Sequence, residues 1–239
     1  MDGHACNDVT TATQEGNVTG RQLIQGALIG AIILSCGVRG ALAVEVQRAH
    51  NMFTTARASE PQKDGGTAKV GQPAPGFTLE AVVNGEFKQV GLADYRGKWV
   101  VLFFYPNDFT FVCPTEIRGF NTALDSFRKL NAEVLGASVD SKYSHLAWIQ
   151  RGDLGELKYP LLADFKKEVA SKYGILDEKD GEALRGLFII DPNGVLQYEL
   201  VHNLSVGRSV DETLRVLEAL QTGELCPIGW KPGQKTLGK

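Results

Sequence analysis

Trp99–Tyr105 (WVVLFFY) restricts the fold more than any other segment of this chain. An unbroken apolar run of this length has no polar face to turn toward water. A strand of that kind is buried on both faces, inside a sheet covered by helices on each side. Pro106 ends it. The spacing then changes from continuous to helical. Between Pro114 and Leu130 the apolar residues fall at Ile117, Phe120, Leu124, Phe127 and Leu130. Steps of three and four make one apolar stripe, so the pattern predicts an amphipathic helix over 114–130.

The alternation continues downstream. Glu133–Val139, Tyr159–Ala163, Gly186–Ile190 and Val195–Val201 read as strands. Ser144–Gln150, Lys166–Tyr173 and Ser209–Leu220 read as helices, the last opened by Ser209 as cap with Asp211 and Glu212 in its first turn. Asp191-Pro192-Asn193-Gly194 supplies a turn between two of the strands. Upstream, Phe77–Val83 and Glu86–Val90 flank Asn84-Gly85, the residue pair of a tight hairpin. The expected fold is α/β and thioredoxin-like, a central mixed β-sheet flanked by helices. It is expected over residues 67–225, with a short tail over 226–239.

Several function classes have no support. The chain of 239 residues carries 25 Lys+Arg against 28 Asp+Glu, a net charge of −3. That balance argues against a dedicated nucleic-acid binder. No Gly-x-Gly-x-x-Gly and no Gly-x4-Gly-Lys-Ser/Thr occurs, so nothing is built to cradle a dinucleotide or nucleotide phosphate. The four cysteines are too few for a disulfide scaffold, and the four histidines nowhere form a ligand spacing. No metal and no cofactor is expected.

Residues 1–66 differ from the rest. Gln22–Val38 is uncharged and mostly apolar between Arg21 and Arg39, and Ala41-Leu42-Ala43 resembles a signal-peptidase site. Asp2, Asp8 and Glu15 precede it where a signal peptide would carry positive charge. Residues 44–68 are polar and aperiodic, as a linker or part of a targeting segment would be, and Met52 offers an alternative start. A targeting or anchor segment and an uninformative extension both fit. Membrane association is expected only if 22–38 is a retained anchor.

Cys113 lies after the buried strand, where the long helix begins. Unpaired N–H groups and the positive end of the helix dipole favour a thiolate at such a place. A cysteine is also an ordinary small core residue, and position alone leaves both readings standing. Cys226 follows the last helix, in Cys226-Pro227-Ile228-Gly229-Trp230. Cys-x-x-Cys is absent, which disfavours a dithiol exchanger.

Longer motifs separate these readings. Pro106-Asn107-Asp108-Phe109-Thr110-Phe111-Val112-Cys113-Pro114-Thr115-Glu116 resembles the Pro-x-x-x-Thr-x-x-Cys segment of typical two-cysteine peroxiredoxins. The resemblance runs on through His145-Leu146-Ala147-Trp148, Ala183-Leu184-Arg185-Gly186-Leu187-Phe188-Ile189-Ile190-Asp191, Val206–Leu214 and Cys226-Pro227-Ile228-Gly229-Trp230-Lys231-Pro232-Gly233. It covers residues 69–235 and leaves 1–66 out. It implies a thiol peroxidase that reduces hydrogen peroxide and organic hydroperoxides.

By that resemblance Cys113 is the peroxidatic cysteine and Cys226 the resolving one, supplied by the partner of a homodimer. Thr110 and Arg185 bind the reacting oxygens, and Pro106 shields them from water. Glu116 orients an arginine, its plainer alternative being a first-turn Glu favoured by the helix dipole. Arg208 is a candidate member of the same network. The resemblance further implies reduction by thioredoxin or an equivalent dithiol reductant, assembly of dimers into rings of five, and a cytoplasmic location. The location becomes exported or organellar if residues 1–43 are a targeting segment. A chaperone-like role of the assembled rings is the competing reading.

The chain departs from the family in places. Gly152-Asp153-Leu154-Gly155 stands where peroxide-sensitive members carry Gly-Gly-Leu-Gly, and their C-terminal Tyr-Phe pair is absent. Asn107 replaces a more usual Leu, and Ile228 an Ala or Val.

Overall fold

The computed structural model of the chain describes residues 67–239. The leader over 1–66, with its 22–38 segment, Cys6 and Cys36, lies outside the described residues. The elements are β1 (Thr78–Val83), β2 (Glu86–Gly91), a 3-10 turn (Leu92–Tyr95), β3 (Trp99–Phe104), α1 (Cys113–Thr122), α2 (Leu124–Lys129), β4 (Ala132–Ser138), α3 (Lys142–Arg151), β5 (Leu161–Ala163), α4 (Glu168–Lys172), β6 (Leu176–Asp177), β7 (Glu182–Ala183), β8 (Arg185–Ile190), β9 (Leu196–His202) and α5 (Val210–Thr222). Seven strands form one sheet in the order β2-β1-β5-β4-β3-β8-β9. β3 pairs in parallel with β4 and antiparallel with β8, which makes the sheet mixed.

The apolar run of β3 has the placement its composition demands. Val100, Leu102 and Phe104 enter one core with Phe188, Val169, Ala170 and Tyr173. Val101, Phe103 and Tyr105 enter the opposite core with Ile117, Phe120, Trp148 and Leu217. Val101 through Tyr105 are wholly buried. At roughly 1.5–3 kcal/mol for each large apolar side chain removed from water, this strand is a main source of cohesion. Its neighbour makes room for it. Gly136 pairs with Phe103, and a Cβ there would sit 3.0 Å from the Phe103 ring. The ring instead stacks on Phe120 at 4.4 Å.

The β1–β2 hairpin forms as expected, with Asn84 and Gly85 at φ 51° and 79°, the left-handed pair of a two-residue turn. Ser209 caps α5 by accepting from the Glu212 N–H at 3.1 Å. The continuous helix expected over 114–130 is instead two, α1 and α2, parted at Ala123 (φ −88°, ψ 2°). The apolar stripe survives because Phe120, Leu124 and Phe127 all remain buried across the break. What interrupts the backbone is polar. Asn121 donates to the Glu156 carbonyl and accepts from the Lys158 N–H, and the Thr122 hydroxyl bonds back to the Arg118 carbonyl.

Other boundaries move for local reasons. α4 begins at Glu168 rather than Lys166, because Lys167 is left-handed at φ 63°. α3 runs from Lys142 to Arg151, between the Ser141 cap and Gly152 at φ 91°. The small β6–β7 hairpin is too short to show a strand pattern in the sequence. Beyond α5 the tail turns back on itself: the Leu225 N–H donates to the Gly238 carbonyl and the Leu237 N–H to the Leu225 carbonyl. Among the described residues no helix is long and apolar enough to cross a membrane.

Candidate active site

β3 delivers the chain to Pro106, and seven residues later α1 starts at Cys113. The intervening loop is tied down at several points. The Asp108 backbone N–H donates to Asp140 Oδ2 at 2.9 Å. The Asp108 carboxylate accepts from the Tyr105 hydroxyl at 2.9 Å and faces His145 Nδ1 at 2.8 Å. The other ring nitrogen of His145 meets the Leu162 carbonyl at 3.0 Å. Burial, reinforced by the charge of Asp108, pushes the Asp140 carboxyl upward. Phe109 is held at φ 56°, a conformation few bulky residues adopt, with its ring 5.7 Å from that of Trp148. The Thr110 hydroxyl donates to the Asn107 carbonyl at 2.9 Å.

Cys113 is the first residue of α1, with Pro114 fixing the first turn, and its side chain is fully buried from bulk solvent. Arg185, at the start of β8, places Nη1 3.5 Å from Cys113 Sγ. The same Nη1 donates to Glu116 Oε2 at 2.6 Å, and Arg185 Nε donates to the Leu204 carbonyl at 2.7 Å. Glu116 sits one turn into α1 and accepts from a second arginine as well. Arg208 Nε reaches Oε1 at 2.7 Å, Nη2 reaches Oε2 at 2.9 Å, and the Arg208 backbone N–H reaches Oε1 at 2.8 Å. Arg208 Nη1 also donates to the carbonyls of Phe104 and Gly186. The end of β3, the start of β8 and the first turns of α1 thus share one cation.

All three side chains of this triad are 3% exposed or less. Burial alone would raise the Glu116 carboxyl. The hydrogen bonds and charge of Arg208, with the charge of Arg185, outweigh it and hold the carboxyl below its ordinary range. Gly207 comes close enough to Glu116 that an added Cβ would lie 3.6 Å from its Cγ.

A pocket of about 240 Å³ opens onto Cys113, walled by Pro106, Thr110, Phe111, Arg185 and Leu204 among others. The structure therefore gathers Cys113, Thr110, Arg185 and Pro106 in one concavity, with Glu116 directly behind it. Cys226 is elsewhere. It lies past the end of α5, half-buried, with Sγ 3.5 Å from the Thr222 hydroxyl and 3.8 Å from the Ala219 carbonyl. Both cysteines are free thiols. Among the described residues no group of three or more His, Cys, Asp or Glu could hold a metal ion.

Arg208 proves as deeply engaged as Arg185. The Tyr105–Asp108–His145 cluster was not anticipated from composition or spacing. Its one sequence signal is His145, three residues before Trp148 and on the same buried face of α3.

The arrangement fits nucleophilic thiol chemistry, with a cation beside the sulfur and a hydroxyl lining the same pocket. The sequence profile of the AhpC/TSA family matches residues 70–199. Rat Peroxiredoxin-2 is 57% identical over 180 residues, covering 72% of this chain and 91% of the relative. The reduced 2-Cys peroxiredoxin of Plasmodium vivax superposes with a TM-score of 0.66 at 46% identity, covering 70% of this chain and 91% of that one. A structure described as the mitochondrial 2-Cys peroxiredoxin of Plasmodium falciparum gives a TM-score of 0.62 at 41% identity, covering 66% of this chain and all of that one. Fold, site and likeness agree: the chain belongs to the AhpC/TSA family and is a typical 2-Cys peroxiredoxin, a thiol peroxidase on a thioredoxin-like fold.

Proposed function

We propose that Cys113 is the peroxidatic thiol and that Cys226 of the partner subunit resolves it. The observation that carries this reading is the Arg185 guanidinium 3.5 Å from the buried Cys113 sulfur, in a pocket shared with Thr110. The Cys113 thiolate attacks the terminal oxygen of a hydroperoxide. The S–O bond forms, the O–O bond breaks, and the departing alkoxide or hydroxide takes up a proton. Cys113 is left as a sulfenic acid. Arg185 and Thr110 stabilise the charge as it moves along the breaking bond. Pro106 keeps bulk water off the pocket, and Glu116 with Arg208 fixes the plane of Arg185 as positioning residues.

Cys226 of the partner subunit then attacks the sulfenic sulfur. An intersubunit disulfide forms and water leaves. The buried setting of Cys113 requires the first turn of α1 to unwind for this step. Thioredoxin or an equivalent dithiol reductant restores both thiols by exchange and is itself oxidised. The functional unit is a homodimer, and five dimers form a ring. Residues 1–66 act as leader and linker, 67–225 as the catalytic domain and 226–239 as the tail that carries Cys226. The location is cytoplasmic unless residues 1–43 direct the chain to an organelle or export it. The mitochondrial description of the Plasmodium falciparum relative supports an organellar form.

A non-reducing denaturing gel after one equivalent of hydrogen peroxide tests the cycle. The expected result is a dimer band reversed by dithiothreitol and absent in both Cys113→Ser and Cys226→Ser. A monomer carrying oxidised Cys113 would remove Cys226 from the mechanism. A monomer with Cys113 still a free thiol would overturn the assignment of Cys113.

A further inference from the structure

Asn107 and Glu182 meet at the pocket that opens onto Cys113, and both line it. Asn107 Nδ2 donates to Glu182 Oε2 at 2.6 Å. A carboxylate only accepts, so Glu182 dictates which way the Asn107 amide faces. The backbone carbonyl of the same Asn107 accepts from the Thr110 hydroxyl. Glu182 is carried by β7, whose pairing with β6 fixes the backbone from which it projects. Asp177 ends β6 and the connecting turn adds Glu178 and Asp180, against Lys179 within the hairpin and Lys167, whose Nζ approaches Gly181.

Deeper in the site the charges nearly cancel. Arg185 and Arg208 share Glu116, and a Cys113 thiolate offsets the remaining cation. The charge left at the pocket wall is the Glu182 carboxylate, held in place by Asn107. A neutral hydroperoxide is indifferent to it at long range. One that carries its own negative charge near the peroxide group meets a fixed like charge in a partly desolvated space.

We propose that Glu182 is a specificity-determining residue that makes this peroxidase discriminate against anionic hydroperoxides in favour of neutral ones. The proposal rests on Cys113 being the peroxidatic thiol. Like charges at pocket-scale separation in a medium between protein and water correspond to on the order of fivefold to tenfold in rate.

A matched pair of substrates tests it: cumene hydroperoxide bearing a ring carboxylate, and the methyl ester of the same compound. The readout is the second-order rate constant for loss of the Cys113 thiol, followed by alkylation quench and mass spectrometry. The ester-to-acid ratio is expected to fall about fivefold in Glu182→Gln, which keeps an acceptor for Asn107 and removes the charge. In the wild-type chain the same ratio is expected to shrink as ionic strength rises, a measurement that needs no variant. An unchanged ratio in Glu182→Gln overturns the proposal, whether both rates persist or fall together. A joint fall would mean that Glu182 only positions the loop. A wild-type chain whose Cys113 reacts with neither compound would overturn the peroxidatic assignment itself.

Discussion

Replacing Glu116 by Gln removes one charge from a site that holds three. Glu116 accepts two hydrogen bonds from Arg208 side-chain nitrogens, one from Arg185 Nη1 and one from the Arg208 backbone N–H, all between 2.6 and 2.9 Å. Gln keeps one acceptor oxygen and turns an NH₂ toward a donor. Two guanidinium groups then remain buried with the Cys113 thiolate as their one counter-charge. Gross charge-assisted bonds of about 1.5–3 kcal/mol each would sum higher, but desolvation of the triad offsets part of that. The net loss on breaking such a buried pair is about 3–5 kcal/mol. For a domain of this size each kcal/mol moves Tm by roughly 2–4 °C, so a fall on the order of 10 °C is expected.

The assay is urea denaturation of the reduced protein at one fixed protein concentration, because assembly itself contributes to stability. The pH dependence follows from the lowered carboxyl. A folded-state value below the ordinary 4.5 means the stabilisation is fully present above that pH. It is lost as pH falls through the folded-state value. The gap between wild type and Glu116→Gln is therefore expected to be constant near neutrality and to close in acid. A loss below about 1 kcal/mol at neutral pH, or a gap that widens in acid, would refute the account of Glu116 as the shared counter-ion.

Arg185→Lys keeps a charge but loses the planar fork whose Nε holds the Leu204 carbonyl while Nη1 meets Glu116 and Cys113; about a hundredfold slower oxidation of Cys113 is expected, read by stopped-flow kinetics. Cys226→Ser is expected to accumulate Cys113 sulfinate under repeated peroxide exposure, whereas wild type does not, as mass spectra would show. Gly136→Ala forces a methyl group against the Phe103 ring and is expected to cost about 1–3 kcal/mol in urea denaturation.

The sequence carried the sheet clearly where burial is two-sided. WVVLFFY could be nothing but an inner strand once helical stripes followed it, and β3 has neighbours on both edges. Helix ends were less legible. An apolar stripe records which side faces the core but not whether the backbone continues, so the interruption at Ala123 left no trace in the pattern of Phe120, Leu124 and Phe127. Cys113, Thr110, Arg185 and Pro106 were readable because they sit in long local motifs. The Asn107–Glu182 contact joins residues 75 positions apart, one in a loop and one in a two-residue strand. No periodicity marks such a pair. Glu116 was ambiguous for a different reason: a first-turn glutamate satisfies the helix dipole by itself, and only the positions of Arg185 and Arg208 reveal its other partners.

Arg185 Nη1 divides its attention between Glu116 and the Cys113 sulfur. In the proposed cycle the Cys113 sulfur departs and comes back on every turnover, which gives this contact a mechanical meaning. When Cys113 leaves, the guanidinium gives up one weak N–H···S contact and keeps its carboxylate. Both guanidinium groups still keep Glu116 as a partner, so the empty seat retains its carboxylate anchor. In that cycle the returning sulfur meets a socket already wired to receive it, and the reset amounts to refolding one helical turn around a standing carboxylate–guanidinium frame.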